Sequence, residues 1–196
     1  MGRLYVFMGK SASGKDTLYR TTMERHPELQ AVVSYTTRPI RAGEKEGVEY
    51  HFVSVREMKQ MEKEGRIVEC RCYQTVKGPW YYFTAADGQI DFEKGDFCLI
   101  STLEGYGKIR DFYGRDRVVP VYIEVEDFTR MQRSLERERQ QEMPCVAEVC
   151  RRFLADEEDF SREKLEAAGI GAKEHIKNET ISEALCQIEG ILKSGR

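Results

Sequence analysis

Leu4-Tyr5-Val6-Phe7-Met8-Gly9-Lys10-Ser11-Ala12-Ser13-Gly14-Lys15-Asp16-Thr17-Leu18-Tyr19 is the stretch on which the fold turns. Its first five residues, all apolar or aromatic, read as a buried strand, and the pattern after Thr17 reads as a helix. Between them lies a loop of small residues that ends in Gly14-Lys15. Such a loop lets backbone N–H groups converge on a chain of phosphates, and the N-terminus of the following helix adds its positive pole. Gly9 and Gly14 permit the turn, Ser11, Ala12 and Ser13 keep it narrow, and Lys15 supplies a mobile ammonium for the outer phosphates.

The usual G-x-x-x-x-G-K-[ST] pattern departs at its last position, where Asp16 replaces the hydroxyl that reaches a magnesium ion. Asp16 is therefore expected to touch the metal through its water shell, with Thr17 assisting at the helix start.

Outward from this loop, 196 residues suit one compact domain with insertions. A net charge of -3 gives no general attraction to nucleic acid or membrane, so phosphate binding has to be local. Six cysteines without a C-x-x-C pair or a histidine cluster argue against zinc and for reduced thiols. No secretory segment and no apolar run near 20 residues is present, which points to a soluble cytoplasmic protein.

Along the chain, Asp16 to His26 reads as a helix ended by Pro27, and 31–35 as a strand. Arg38-Pro39-Ile40-Arg41 then holds two guanidinium groups three residues apart on a stiffened spacer, suited to forked bonds with a phosphate or carboxylate. Val48 to Val53 alternates like a short strand that offers Tyr50 to the same anion, and Ser54 with Glu57 forms a capping box for a helix to Glu64. Ile67 to Cys70 and Trp80 to Thr84 read as strands, the first with the carboxylate of Glu69 in its middle. Residues 97–101 and 118–125 read as interior strands of a parallel sheet around a helix at 106–112. From Asp127 an arginine-rich pair of helices, broken near Pro144, reads as a solvated face or a mobile flap. A short strand at 175–179 precedes a helix whose apolar stripe is Ile181, Ala184, Leu185, Ile188, Ile191 and Leu192.

Taken in order, the loop at 9–17, the run Ser34 to Glu44 with Gly47 to Val53, Glu69, the arginine-bearing flap and the last helix resemble the guanylate kinase family over nearly the whole chain. The resemblance implies a P-loop α/β fold with a central parallel sheet: a core of 1–33, 91–126 and 165–196, a GMP-binding insert at 34–90 and a lid at 127–164. It implies ATP and GMP, or dGMP, as substrates, magnesium as cofactor, and a monomer or homodimer. By the family's pattern, Ser34, Arg38, Arg41 and Tyr50 hold the phosphate of GMP, Glu69 and Thr84 read guanine, and Asn178 contacts the donor's adenine. Lys15, Arg38, Arg152 or its neighbour Arg151, and one of Arg137 and Arg139 neutralise the transferring group.

Departures from the family are specific. Ile100-Ser101-Thr102-Leu103-Glu104-Gly105 lacks the aspartate that also faces guanine, Phe83 replaces a glycine, and Arg137-Glu138-Arg139 replaces an arginine followed by glycine. Two alternatives stay open from these residues: a sugar-phosphate kinase resembling the ribose 1,5-bisphosphate phosphokinases, and a non-catalytic guanylate-kinase-like module that binds protein ligands.

Overall fold

β1 (Leu4–Met8) is buried at every residue in the computed structural model, which describes residues 2–41, 43–75 and 78–194. Its side chains alternate between two cores, as the pleat of a strand covered on both faces requires. Leu4, Val6 and Met8 join one core and Tyr5 and Phe7 the other. The other core-building elements are α1 (Lys15–Arg25), β2 (Gln30–Ala31), β7 (Phe97–Ile100), α3 (Leu103–Tyr113), β8 (Val118–Glu124), β9 (His175–Lys177) and α7 (Ile181–Ser194). The five strands form a parallel sheet in the order β2-β7-β1-β8-β9. Leu103, Tyr106 and Ile109 of α3 cover the first face, and Leu18 of α1 with Leu185, Ile188 and Leu192 of α7 cover the second. Ile181, expected in the stripe of that last helix, is half exposed because it opens the first turn and points off the packed face.

The strand expected at 31–35 is divided. Gln30–Ala31 pairs with β7, while Tyr35–Thr36 (β3) has already crossed into a second sheet. That sheet also contains β4 (His51–Phe52), β5 (Ile67–Thr75) and β6 (Gly78–Ala85), ordered β4-β3-β6-β5. β5 and β6 form an antiparallel hairpin, longer than the two short strands expected from sequence. α2 (Val55–Lys63) begins at the expected capping box and lays Met58 and Met61 on Phe83 and Ala85. Phe83, where the family has glycine, is fully buried and stacks on Tyr35, so it fills the small core of this insert.

α4 (Asp127–Arg139) and α5 (Val146–Asp159) form the helical pair around Pro144. α6 (Arg162–Ala167), which has no distinct signal in the sequence, returns the chain to the main core through Leu165, with Phe160 and Ile170 packed beside it.

Candidate active site

The loop after β1 is shaped by crowding as much as by torsion. A β-carbon on Gly9 would lie 2.6 Å from the Ile123 carbonyl oxygen, and one on Gly14 would lie 2.5 Å from Asn178 Nδ2. Gly14 also has φ 83°, in the region that favours glycine. Ala12 takes φ 60°, alone among the described non-glycine residues, a strained conformation of the kind that collects at ligand-binding loops. Asn178 is buried and donates its amide N–H to the Ser13 carbonyl at 2.8 Å. It thus braces the loop from below and lines a cavity of about 600 Å³ beside Lys10, Arg133 and Lys177. Lys15 opens α1, its Nζ 3.8 Å from Asp16 Oδ2, and Asp16 is exposed while Thr17 is half-buried. Two adjacent oxygen donors suit a hard cation such as magnesium, and among the described residues no cluster of three or more metal-ligating side chains offers another site.

An ionic cluster joins the loop to the helical pair. Arg130, 1% exposed, donates to Asp127, Glu157 and the Ser11 carbonyl at 2.9, 2.6 and 3.3 Å, and its guanidinium lies over the Phe153 ring. The Ser11 N–H donates to Asp156 at 2.7 Å and Lys10 Nζ to Glu157 at 2.6 Å. Of these partners only Arg130 stands out in the sequence, as one of a series of arginines. Partners about 26 and 145 positions apart leave no local signature.

Across the cleft, Arg38 is 4% exposed and grips Glu44 with both terminal nitrogens, at 2.7 and 2.6 Å. The same carboxylate accepts the backbone N–H of Arg41, so Glu44 ties the buried arginine to the exposed one. That arrangement holds the Glu44 carboxyl down to about 2, chiefly through the Arg38 bond. The Arg38 guanidinium packs over the Tyr50 and Phe52 rings, 5.2 and 5.3 Å from their centroids. Burial pushes the Tyr50 hydroxyl up, Tyr82 adds to this, and Arg38 and Arg71 pull the other way, with Asp16 of the loop raising it slightly. One hydroxyl therefore feels charges from both banks. Ser34 is buried, and its carbonyl accepts the backbone N–H of His51 at 2.9 Å. Glu69 and Thr84 face each other across β5 and β6, the threonine hydroxyl donating to Glu69 Oε1 at 3.0 Å.

The flap closes the arrangement. Arg137 and Arg152 line a cleft of about 580 Å³ with Arg41, and the same two side chains border a crevice of about 10 Å³ against Ser11. Arg139 lines neither, and Arg151 is turned to Glu148, which accepts from both Arg151 and Arg152 and is held down to about 2 by those bonds, Arg151 first.

A parallel sheet that delivers a glycine-cornered loop to a helix N-terminus, opposite an arginine-lined insert, defines a phosphotransferase of the P-loop class. Comparison with known proteins narrows this. The family model described as guanylate kinase matches residues 1–194, and the chain belongs to that family. It is similar to the guanylate kinase of Chlorobaculum tepidum, 34% identical over 137 residues, covering 69% of this chain and 68% of that protein. To the guanylate kinase of Frankia casuarinae it is 53% identical over 66 residues, a match covering 34% of this chain and 36% of that protein. The crystal structure of guanylate kinase from Anaplasma phagocytophilum superimposes with a TM-score of 0.62 at 25% identity, covering 98% of this chain and 85% of the other.

Proposed function

We propose that this chain transfers the γ-phosphoryl group of ATP to GMP, and to dGMP, giving the nucleoside diphosphate. The observation that carries the reading is that Arg137 and Arg152 line the cleft that contains Arg41 of the insert and also pack against Ser11 of the loop. Two anions bound on those banks meet under the same two arginines.

The acceptor oxygen is already ionised near neutral pH, so the reaction needs positioning and charge neutralisation rather than a general base. The loop N–H groups and Lys15 hold the donor phosphates. Asp16 and Thr17 hold magnesium, which supplies neutralisation of the polyphosphate when bound. Ser34, Arg38, Arg41 and Tyr50 fix the acceptor phosphate, with Glu44 setting the angle between the two arginines. Glu69 and Thr84 read the base, Arg137 and Arg152 cover the moving group, and Asn178 acts on the donor side by shaping the loop. The core, insert and lid then correspond to 1–33 with 91–126 and 165–196, to 34–90, and to 127–164. Both substrates are small nucleotides met in the cytoplasm, and neither nucleic acid nor a membrane is required. Among the described residues no helix is long and apolar enough to cross a membrane.

The Glu69 carboxylate weighs against a sugar bisphosphate as acceptor, because it offers a ligand only hydrogen-bond acceptors, which suit a base N–H rather than the oxygens of a second phosphate. The test is ADP release in a coupled assay with GMP, dGMP, AMP, UMP and ribose 1,5-bisphosphate offered separately. GMP and dGMP are expected to be turned over and the others not. Turnover of ribose 1,5-bisphosphate alone would overturn the reading.

A further inference from the structure

Arg71 touches Glu69, the residue read above as the base contact. It stands two positions after Glu69 on β5, so both side chains project from one face of the strand. Its Nε–H donates to Glu69 Oε2 at 3.0 Å and its Nη2–H to Oε1 at 3.1 Å. The Glu69 side chain is fully buried and that of Arg71 only 16% exposed, so this is an enclosed pair rather than a surface contact. It also lines a cavity of about 620 Å³ with Thr102 and Glu104.

The donor count at Glu69 is what matters. A carboxylate has about four acceptor positions. Arg71 takes two and Thr84 a third. Guanine presents N1–H and an exocyclic 2-amine, a planar two-donor edge of the same pattern as the guanidinium fork. One remaining position serves N1–H, which guanine shares with other 6-oxopurines, and leaves the 2-amine without its carboxylate. Ser101 is a separate observation at the same place. It is 5% exposed, and among the described residues its buried hydroxyl meets no hydrogen-bond partner. A β-carbon on Gly105 would clash with Ser101 Oγ and lie 3.4 Å from Glu69 Oε2, so hydroxyl and carboxylate border one small space. A neutral hydroxyl both gives and accepts, and rejects little.

We propose that Arg71 is a specificity-determining residue: by holding Glu69, with Ser101 beside it, it reduces the advantage of the 2-amine and admits 6-oxopurine monophosphates as a class, the hypoxanthine nucleotide IMP included. This rests on the reading of Glu69 as the base contact. A site built to bond a substrate N–H ordinarily rejects the analogue lacking it by about 10⁴-fold or more. Here kcat/KM for GMP is expected to exceed that for IMP by only about tenfold, the discrimination of a site that does not bond the extra group.

The experiment compares GMP with IMP as acceptor at saturating ATP, in the wild type, Arg71→Met and Arg71→Lys. Freeing Glu69 in Arg71→Met raises the GMP-to-IMP ratio by about tenfold or more, through a lower KM for GMP at little-changed kcat. Lysine cannot span both oxygens and gives an intermediate ratio. The ratio cancels any general loss of attraction for phosphate, which affects both acceptors alike. If Arg71→Met does not fold, the wild-type ratio alone decides: a value of about 10³ or more overturns the proposal. A ratio unchanged in a folded Arg71→Met protein overturns it too, while leaving GMP phosphorylation intact. Release of ADP with neither acceptor fails the kinase reading and the proposal together.

Discussion

Glu44 organises the two arginines proposed to hold the acceptor, at the level of single residues. It receives both arms of Arg38 and the backbone of Arg41, and replacing it leaves a buried guanidinium without its counter-charge. Its carboxyl titrates near 2 in the folded chain against 4.5 as the ordinary value, and Glu148 behaves alike. A depressed folded value means that the stabilisation is complete above about 4.5 and is lost as pH falls towards 2. Thermal melts from pH 6 to pH 2.5 should therefore show a melting temperature that falls steeply below about 4.5, and less steeply in Glu44→Gln. Equal pH slopes in the two proteins would remove Glu44 from this role. On the proposed mechanism Lys15 works differently, because it meets charge that moves during transfer. Lys15→Met should lower kcat by about 10²-fold or more with an almost unchanged melting temperature. A loss confined to KM would assign Lys15 to uniform binding.

Between elements, the α4–α5 pair is tied to the loop by the cluster of Arg130, Asp156, Glu157, Lys10 and the Ser11 backbone. Arg130 is enclosed, but Asp127 and Glu157 are 52% and 40% exposed, so both hydrate when their partner is lost. Arg130→Met should accordingly cost about 2–3 kcal/mol in chemical denaturation, below the 3–5 typical of a wholly enclosed pair. An unchanged denaturation midpoint would show the cluster to be dispensable. The elements differ in how far the sequence revealed them. β1, the loop and α1 are contiguous, so their spacing alone predicts them, and the Ser54–Glu57 capping box is equally local. The division of 30–36 between two sheets is not visible in the sequence, because each half satisfies the same strand pattern and only pairing with Cys98 or Phe83 separates them. Arg71 is hidden for a related reason: Glu69 demands a partner, and one two residues away is evident only once the strand is known to be continuous through Thr75. Asp156 and Glu157 meet the loop from across the fold, and an acidic helix in sequence is indistinguishable from a solvated one.

For the whole molecule, the helical pair borders both the loop and the insert, the first through a narrow crevice at Ser11 and the second through the cleft at Arg41. The parallel sheet, covered on both faces, is the rigid base that presents the loop. The insert has its own small core around Phe83 and brings Arg41 to the cleft that Arg137 and Arg152 of the helical pair also line. A donor and an acceptor held by these separate parts should therefore bind as one ligand when joined. The direct measurement is calorimetric titration with adenosine and guanosine linked 5′ to 5′ through five phosphates, set beside ATP and GMP titrated singly. One molecule per chain, bound about 10²-fold or more tightly than either nucleotide alone, is the predicted result. Binding no tighter than that of ATP would contradict it, because the loop and the paired arginines would then not share a working site.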